Sequence, residues 1–333
     1  MRLRIDLGYD GAAFYGWARQ PDTRTVQGTI EGALRKVLHL TGRPGKALDA
    51  DELEIAQGLR LTVAGRTDTG VHALHQVCHL DIDPAVLQRC VGHMDVPAVL
   101  ALQRRLQRVL PGDIAIHRVS EAPEGFDARF SALERTYVYR VCDRSRFIDP
   151  RMRGFVLSVD DDLDVDAMNR AAAMTIGLHD FGSFAIPNPG GTTIRQVKLA
   201  RWSVAQAGWL TGMETQRGQV SMDGEADNSV VAKDAAAGIT PYVTPYAESG
   251  LLCFTIVADA FARNMVRSLV QACLQVGRGK KTVDWFAEKM ATPLREGSTG
   301  PAQAKGLTLE HVAYPPNEQL AERAQAIRAK RTL

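Results

Sequence analysis

Residues 64–73 read AGRTDTGVHA, placing one carboxylate, Asp68, two residues after Arg66 and four before His72, with glycines at both ends. Four kinds of chemistry fit such a string. Gly, Thr and Asp are ordinary turn-formers, and an Asp side chain can shape a turn by bonding its own backbone; taken alone, the string favours that reading. A glycine-framed loop can cradle phosphate, but the spacing matches neither G-x-x-x-x-G-K-[ST] nor G-x-G-x-x-G. A metal could be held by His72, His75 and His79 with Asp68 nearby. Residues 76–82 alternate as a strand, however, so His79 shares no helical face with the other two, and no HExxH is present. Finally, a carboxylate can act as nucleophile or base at a glycosidic carbon. It must then stay ionised, which requires a cation or hydrogen-bond donors close by. Arg66 can face a substrate instead, with a more distant arginine as the partner.

The elements around this loop follow from periodicity. Leu3, Ile5, Leu7 and Tyr9 alternate over residues 2–9, a strand. The run YDGAAFYGW supplies turn residues Asp10, Gly11 and Gly16 among the aromatics Tyr9, Phe14, Tyr15 and Trp17. From Thr25, Val26, Ile30, Ala33, Leu34, Val37 and Leu38 keep helical spacing, with Gly42 placed to end the helix. Residues 43–58 read as a loop with a short helical piece. Leu59, Leu61 and Val63 alternate straight into the Asp68 loop. Strands are expected at 76–82 and over DIAIHRV, with a helix over 84–110 between them.

The pattern resets near 121–132. The expected division is a first domain over 1–120 carrying the Asp68 loop, and a second over 121–315. In the second, strands fall at 134–142, 194–204 and 251–258, and helices from Asp160 to about Ile176 and over 261–276. The last has Phe261, Met265, Val266, Leu269, Val270, Cys273 and Leu274 inward. The cluster Asp160–Asp166 suits a helix N-terminus. Residues 212–249 are small and polar and read as a flexible insertion, and 316–333 as a polar, solvated tail. The fold class is α+β: two similar α/β layers, sheets flanked by helices, with a central cleft.

Bulk properties bound the rest. The chain has 333 residues, 45% apolar and 23% charged, with a net charge of only +2, so a nucleic-acid partner is neither demanded nor excluded. The five cysteines form no CxxC pair, which suits reduced thiols. No window reaches the apolar length of a membrane span and MRLRIDLGYD lacks a signal peptide's apolar region, so a soluble, cytoplasmic protein is expected.

The motif AGRTDTGVHA resembles the active-site motif of the TruA family of tRNA pseudouridine synthases, A-G-R-T-D-x-G-V-H. Further blocks match that family in order: YDGAAFYGW with Gln20, TVQGTIEGAL, LPGDIAI, FDARFSALERTYVYRV, DAFARNMVRSLV and PAQAKGLTLEHVAY. Together they span nearly all of residues 3–314. Ala18 and Thr136 depart from residues common in the family. The resemblance implies the pseudouridine synthase fold and an isomerase acting on uridine at positions 38 to 40 of the tRNA anticodon stem-loop. It needs no cofactor and works as a homodimer. It implies Asp68 as catalytic carboxylate and Arg267 as the arginine paired with it across the two domains. Tyr137 would pack on the target uracil, a contact suited to a flipped-out base. Arg66 would assist flipping, and His72 would belong to the frame. Tyr139 reads as packing and Arg263 as a solvated helix arginine.

Phosphate attraction supplies most non-specific RNA affinity. The basic groups are Arg129, Arg135, Arg140, Arg144, Arg146, Arg151 and Arg153; Arg104, Arg105 and Arg108; and Arg19 with Arg24. Two other functions compete: an inactive RNA-binding or tRNA-chaperone homologue, and a histidine-based metal hydrolase.

Overall fold

The computed structural model describes residues 1–42, 47–187, 190–206 and 248–326. The expected insertion at 212–249 lies outside the described residues, save its last two. The described chain divides into two compact units, Met1–Leu133 with the segment from Val312 onward, and Glu134–His311.

The first unit is built on β1 (Arg2–Tyr9), which pairs antiparallel with β3 (His72–Asp81) on one side and β4 (Ile114–Glu121) on the other. The short β2 (Leu61–Val63) joins β3, and the Asp68 loop is the connection between those two strands. Leu3, Ile5 and Leu7 are wholly buried, which is why the alternation in β1 was legible. Helices α1 (Val26–Val37), α2 (Ala50–Gly58), α3 (Pro84–Gln88) and α4 (Ala98–Val109) complete the first stretch. Thr25 caps α1 through its side chain, and Val26, Ile30, Ala33, Leu34 and Val37 form its buried stripe.

Two helix readings in the first unit differ from expectation. Helix α1 stops before Gly42: His39 takes the left-handed conformation (φ 58°) and Leu40 N–H bonds back to Arg35 O, so a non-glycine residue ends the helix. The expected 84–110 helix is two helices, because Gly92 is left-handed (φ 59°) and Pro97 stands at the N-cap of α4.

The segment from Val312 returns to this first unit. Tyr314 Oη donates to Ala128 O (2.6 Å), and the Ser131 hydroxyl donates to Leu320 O (3.1 Å). Helix α8 (Leu320–Ala326) buries Leu320 and Ala324, so the tail expected to be solvated packs down through its start.

In the second unit β5 (Glu134–Cys142) lies between β10 (Leu307–Ala313) and β9 (Leu252–Ala258), followed by β8 (Ile194–Val204) and β7 (Gly177–Asp180). The β5–β9, β9–β8 and β8–β7 pairs are antiparallel, whereas β6 (Leu157–Ser158) adds to β5 in parallel. Helices α5 (Val165–Ala173) and α6 (Met265–Gly277) pack together, joined by α7 (Val283–Ala291). The class is α+β, as expected. Asp164 caps α5 with its side chain on Ala167 N–H, the role expected of that acidic run. Helix α6 begins at Met265 rather than 261, because Asn264 sits left-handed (φ 62°) immediately before it. Phe261 and Arg263 therefore precede the helix. All five cysteines are buried and unpaired by disulfides.

Candidate active site

Asp68 sits in an irregular loop whose backbone is held from outside. The segment after β1 wraps it: Trp17 N–H donates to Thr67 O (3.0 Å) and Gly70 N–H to Phe14 O (3.2 Å). Within the loop, Val71 N–H closes on Asp68 O (3.1 Å). Two glycines permit the approach. A Cβ on Gly11 would lie 2.0 Å from Val71 O, and one on Gly16 (φ +82°) 2.8 Å from Thr67 O.

A polar chain underneath fixes the residue next to Asp68. Gln76 Nε2 donates to Tyr9 Oη (3.3 Å) and to Gly65 O (2.9 Å), and Tyr9 Oη lies 2.8 Å from Thr67 Oγ1. Tyr9, Thr67 and Gln76 are all buried. Burial pushes the Tyr9 hydroxyl up to about 12, so it keeps its proton and can donate to Thr67. Asp68 itself is half-buried, and Arg66 is exposed. Within the first unit, no side-chain donor or cation among the described residues pairs with the Asp68 carboxylate.

The three histidines turn to different partners. His72 Nδ1 lies 3.1 Å from Gly11 N, tying the loop's exit to the wrapping segment. His75 Nε2 lies 2.9 Å from Asp6 Oδ1, and His79 Nδ1 accepts from Ala128 N–H (3.0 Å). Burial holds the His79 imidazole below its ordinary pKa, with Arg2 adding to the effect.

The second unit positions the other expected residues. Tyr137 on β5 is buried, its ring edge-on to Phe261 with centroids 5.1 Å apart. Tyr139 is fully buried and packs, as expected: its hydroxyl donates to Gln303 O (2.7 Å), and a Cβ on Gly306 would meet its ring at 2.5 Å. Arg267, on α6, is anchored twice over. Its Nε donates to Ala302 O (2.7 Å), and Ala302 N–H donates to Arg267 O (2.9 Å). Arg263 is exposed.

The expected basic patches are smaller than the sequence implies. Arg135 and Arg140 are interior residues of β5. Arg135 Nη1 donates to Asp259 O (2.6 Å), and Arg140 Nη2 lies 2.7 Å from both Glu248 Oε1 and Glu310 Oε1. Arg105 donates to Cys90 O, and Arg24 makes a two-pronged pair with Asp113 while covering the Phe14 ring. Arg146 and Arg151 pair with Asp143 and Asp149, and Arg144 donates to Asp160 O. Arg66, Arg104, Arg108, Arg129 and Arg153 remain exposed, with Arg129 over the Phe130 ring. Tyr9, Gln76, Gly11 and Gly16 were not singled out for the site. For Tyr9, Gly11 and Gly16 the signal is the cluster of turn residues and aromatics in YDGAAFYGW; Gln76, on β3, carries none.

A family described as tRNA pseudouridine synthase matches residues 171–315. A tRNA pseudouridine synthase A of Bifidobacterium longum (strain DJO10A) is 60% identical over 332 residues, covering 100% of this chain and 99% of its own. That of Bifidobacterium animalis subsp. lactis (strain AD011) is 58% identical over 332 residues, with the same coverage of both chains. That of Streptomyces griseus subsp. griseus is 41% identical over 333 residues, covering 100% of this chain and 95% of its own. The chain belongs to the tRNA pseudouridine synthases, a family of isomerases.

Proposed function

We propose that the protein converts uridine to pseudouridine at positions 38 to 40 in the anticodon stem-loop of tRNA, with Asp68 as the catalytic carboxylate. The reaction breaks the C1′–N1 glycosidic bond, turns the uracil over and joins C5 to C1′. C5 gives up a proton and N1 gains one, so atoms and electrons balance within the substrate. The observation that carries this reading is the clamped loop. A carboxylate that must meet a rotating base needs a fixed position, and Asp68 follows Thr67, which is held through both its carbonyl and its hydroxyl.

The remaining roles follow the family resemblance. Tyr137 stacks on the uracil, Arg66 assists flipping of the nucleotide, and Arg267 supplies positive charge. Membership of a family named for tRNA supports that substrate. Work as a cytoplasmic homodimer is part of the same proposal, with light scattering as its test.

Incubation of the protein with unmodified tRNA, followed by chemical mapping of pseudouridine, tests the reading. Product at positions 38 to 40 is expected from the wild type. Asp68→Asn should bind tRNA and form none. Binding by the wild type without product would mean an RNA-binding homologue instead.

A further inference from the structure

The YDGAAFYGW run places four aromatics around the loop that wraps Asp68, and the fold treats one of them differently. Tyr9, Phe14 and Trp17 are buried at 5%, 1% and 1% exposure, whereas Tyr15 is 57% exposed. Among the described residues its ring meets no other aromatic and its hydroxyl has no hydrogen-bond partner. An exposed aromatic on a mobile loop would mean little. Tyr15 is not on one.

Its backbone is tied at every point. Tyr15 N–H donates to Arg24 O (2.8 Å), and Gln20 Nε2 donates to Tyr15 O (3.0 Å). The residue before it accepts from Gly70 N–H, and the residue after it, Gly16, packs against the peptide of Thr67 and Asp68. The next, Trp17, bonds Thr67 O. A large flat side chain is thus held in solvent by backbone that grips the Asp68 loop on both sides. Arg66, in that same loop, is exposed as well.

We propose that Tyr15 is a stacking platform for a nucleobase of the RNA, seating a nucleotide near the one that Asp68 acts on. The role rests on the RNA-isomerase function proposed above. The ring offers a π-face to any base, and a fixed backbone loses little freedom on binding. It is a substrate-binding residue distinct from Tyr137, which lies on β5 in the second unit.

The test compares Tyr15→Phe, Tyr15→Leu and Tyr15→Ala in the full chain, using anticodon stem-loop RNA for both binding and turnover. Stacking predicts that Phe matches the wild type. Leu and Ala should weaken RNA binding and raise KM by about 10-fold or more, with kcat changed far less. The thermal midpoint of each variant reports folding, and at an exposed position it should not move. Three results would overturn the proposal: Ala binding as tightly as the wild type, Phe losing as much as Ala, or Ala changing the number of subunits. The last would mark Tyr15 as a contact between copies of the chain. Repeating the binding series in the Asp68→Asn background separates this proposal from the catalytic one. There the Tyr15 effect should persist even though no product forms, and it is readable even if the wild type proves not to isomerise uridine.

Discussion

The hydroxyl of Tyr9, on the first strand of the chain, lies 2.8 Å from the hydroxyl of Thr67, the residue before Asp68. Gln76 completes the contact by donating to the same tyrosine oxygen and to Gly65 O. Removing the oxygen in Tyr9→Phe takes the partner from the buried Thr67 hydroxyl and one of two acceptors from Gln76 Nε2. A cost of about 1–3 kcal/mol in unfolding free energy is expected, readable by urea denaturation. With the catalytic role proposed for Asp68, pseudouridine formation should fall more than tRNA binding does, since the change acts on the residue before it.

Gly11 and Gly16 make a sterically sharper prediction. The Cβ of Gly11→Ala would lie 2.0 Å from a carbonyl oxygen of the Asp68 loop, and backbone cannot yield as a long side chain can. Gly16→Ala adds a left-handed penalty to a 2.8 Å contact. Each should lose at least about 1–3 kcal/mol. Gly32→Ala is the control. It lies within α1 with nothing within 4 Å of its Cβ, and should be neutral or slightly stabilising.

Asp6 predicts a pH dependence. Burial alone would push its carboxyl up, but hydrogen bonds from His75 and Arg4 outweigh burial and hold it below the ordinary carboxylate value. A depressed folded pKa contributes stability that is complete above the unfolded value, near 3.8, and is lost as pH falls through the folded value. Asp6→Asn should therefore be less stable than the wild type at pH 6, by about 1–2 kcal/mol. The gap should close as pH drops below about 4. A gap that stayed constant to pH 2 would contradict the assignment.

Arg140 is a cation enclosed with two carboxylates, Glu248 and Glu310. Burial raises Glu310 and Arg140 pulls it partly back, leaving it above its ordinary value. Arg140→Met removes the positive charge that both carboxylates meet and should cost about 3–5 kcal/mol by thermal or denaturant unfolding. Adding Glu310→Gln to that variant should recover part of the loss, because one uncompensated carboxylate disappears.

The sheet strands were legible in sequence wherever one face is buried. Leu3, Ile5 and Leu7 alternate on the wholly buried face of β1, while Arg2 and Arg4 between them are only partly covered. Helix ends were less legible, and the cause is specific. His39 and Asn264 take left-handed conformations that sequence reading expects of glycine, so α1 is shorter than its periodicity predicts and α6 starts later. The Asp68 loop stood out by its own residues. Its support did not, since Tyr9, Thr67 and Gln76 meet only when β1 and β3 pair. The sequence places the arginines of β5 in a basic patch, and their burial is hidden for a related reason. The strand is buried along its whole length, and the groups that answer Arg135 and Arg140 come from residues more than a hundred positions away.

The first unit is closed by residues from the far end of the chain: Tyr314 lies against Phe126 with ring centroids 5.0 Å apart, and Leu320 meets Ser131. Proteins are made from the N-terminus at roughly 5–20 residues per second, so the interval between residues 131 and 320 is on the order of ten to forty seconds. For that time Phe126, and the strands beside it, wait on the ribosome without their cover. The unit that carries Asp68 is thus the first to be synthesised and the last to be sealed, and any shortening of the chain before Tyr314 leaves it open.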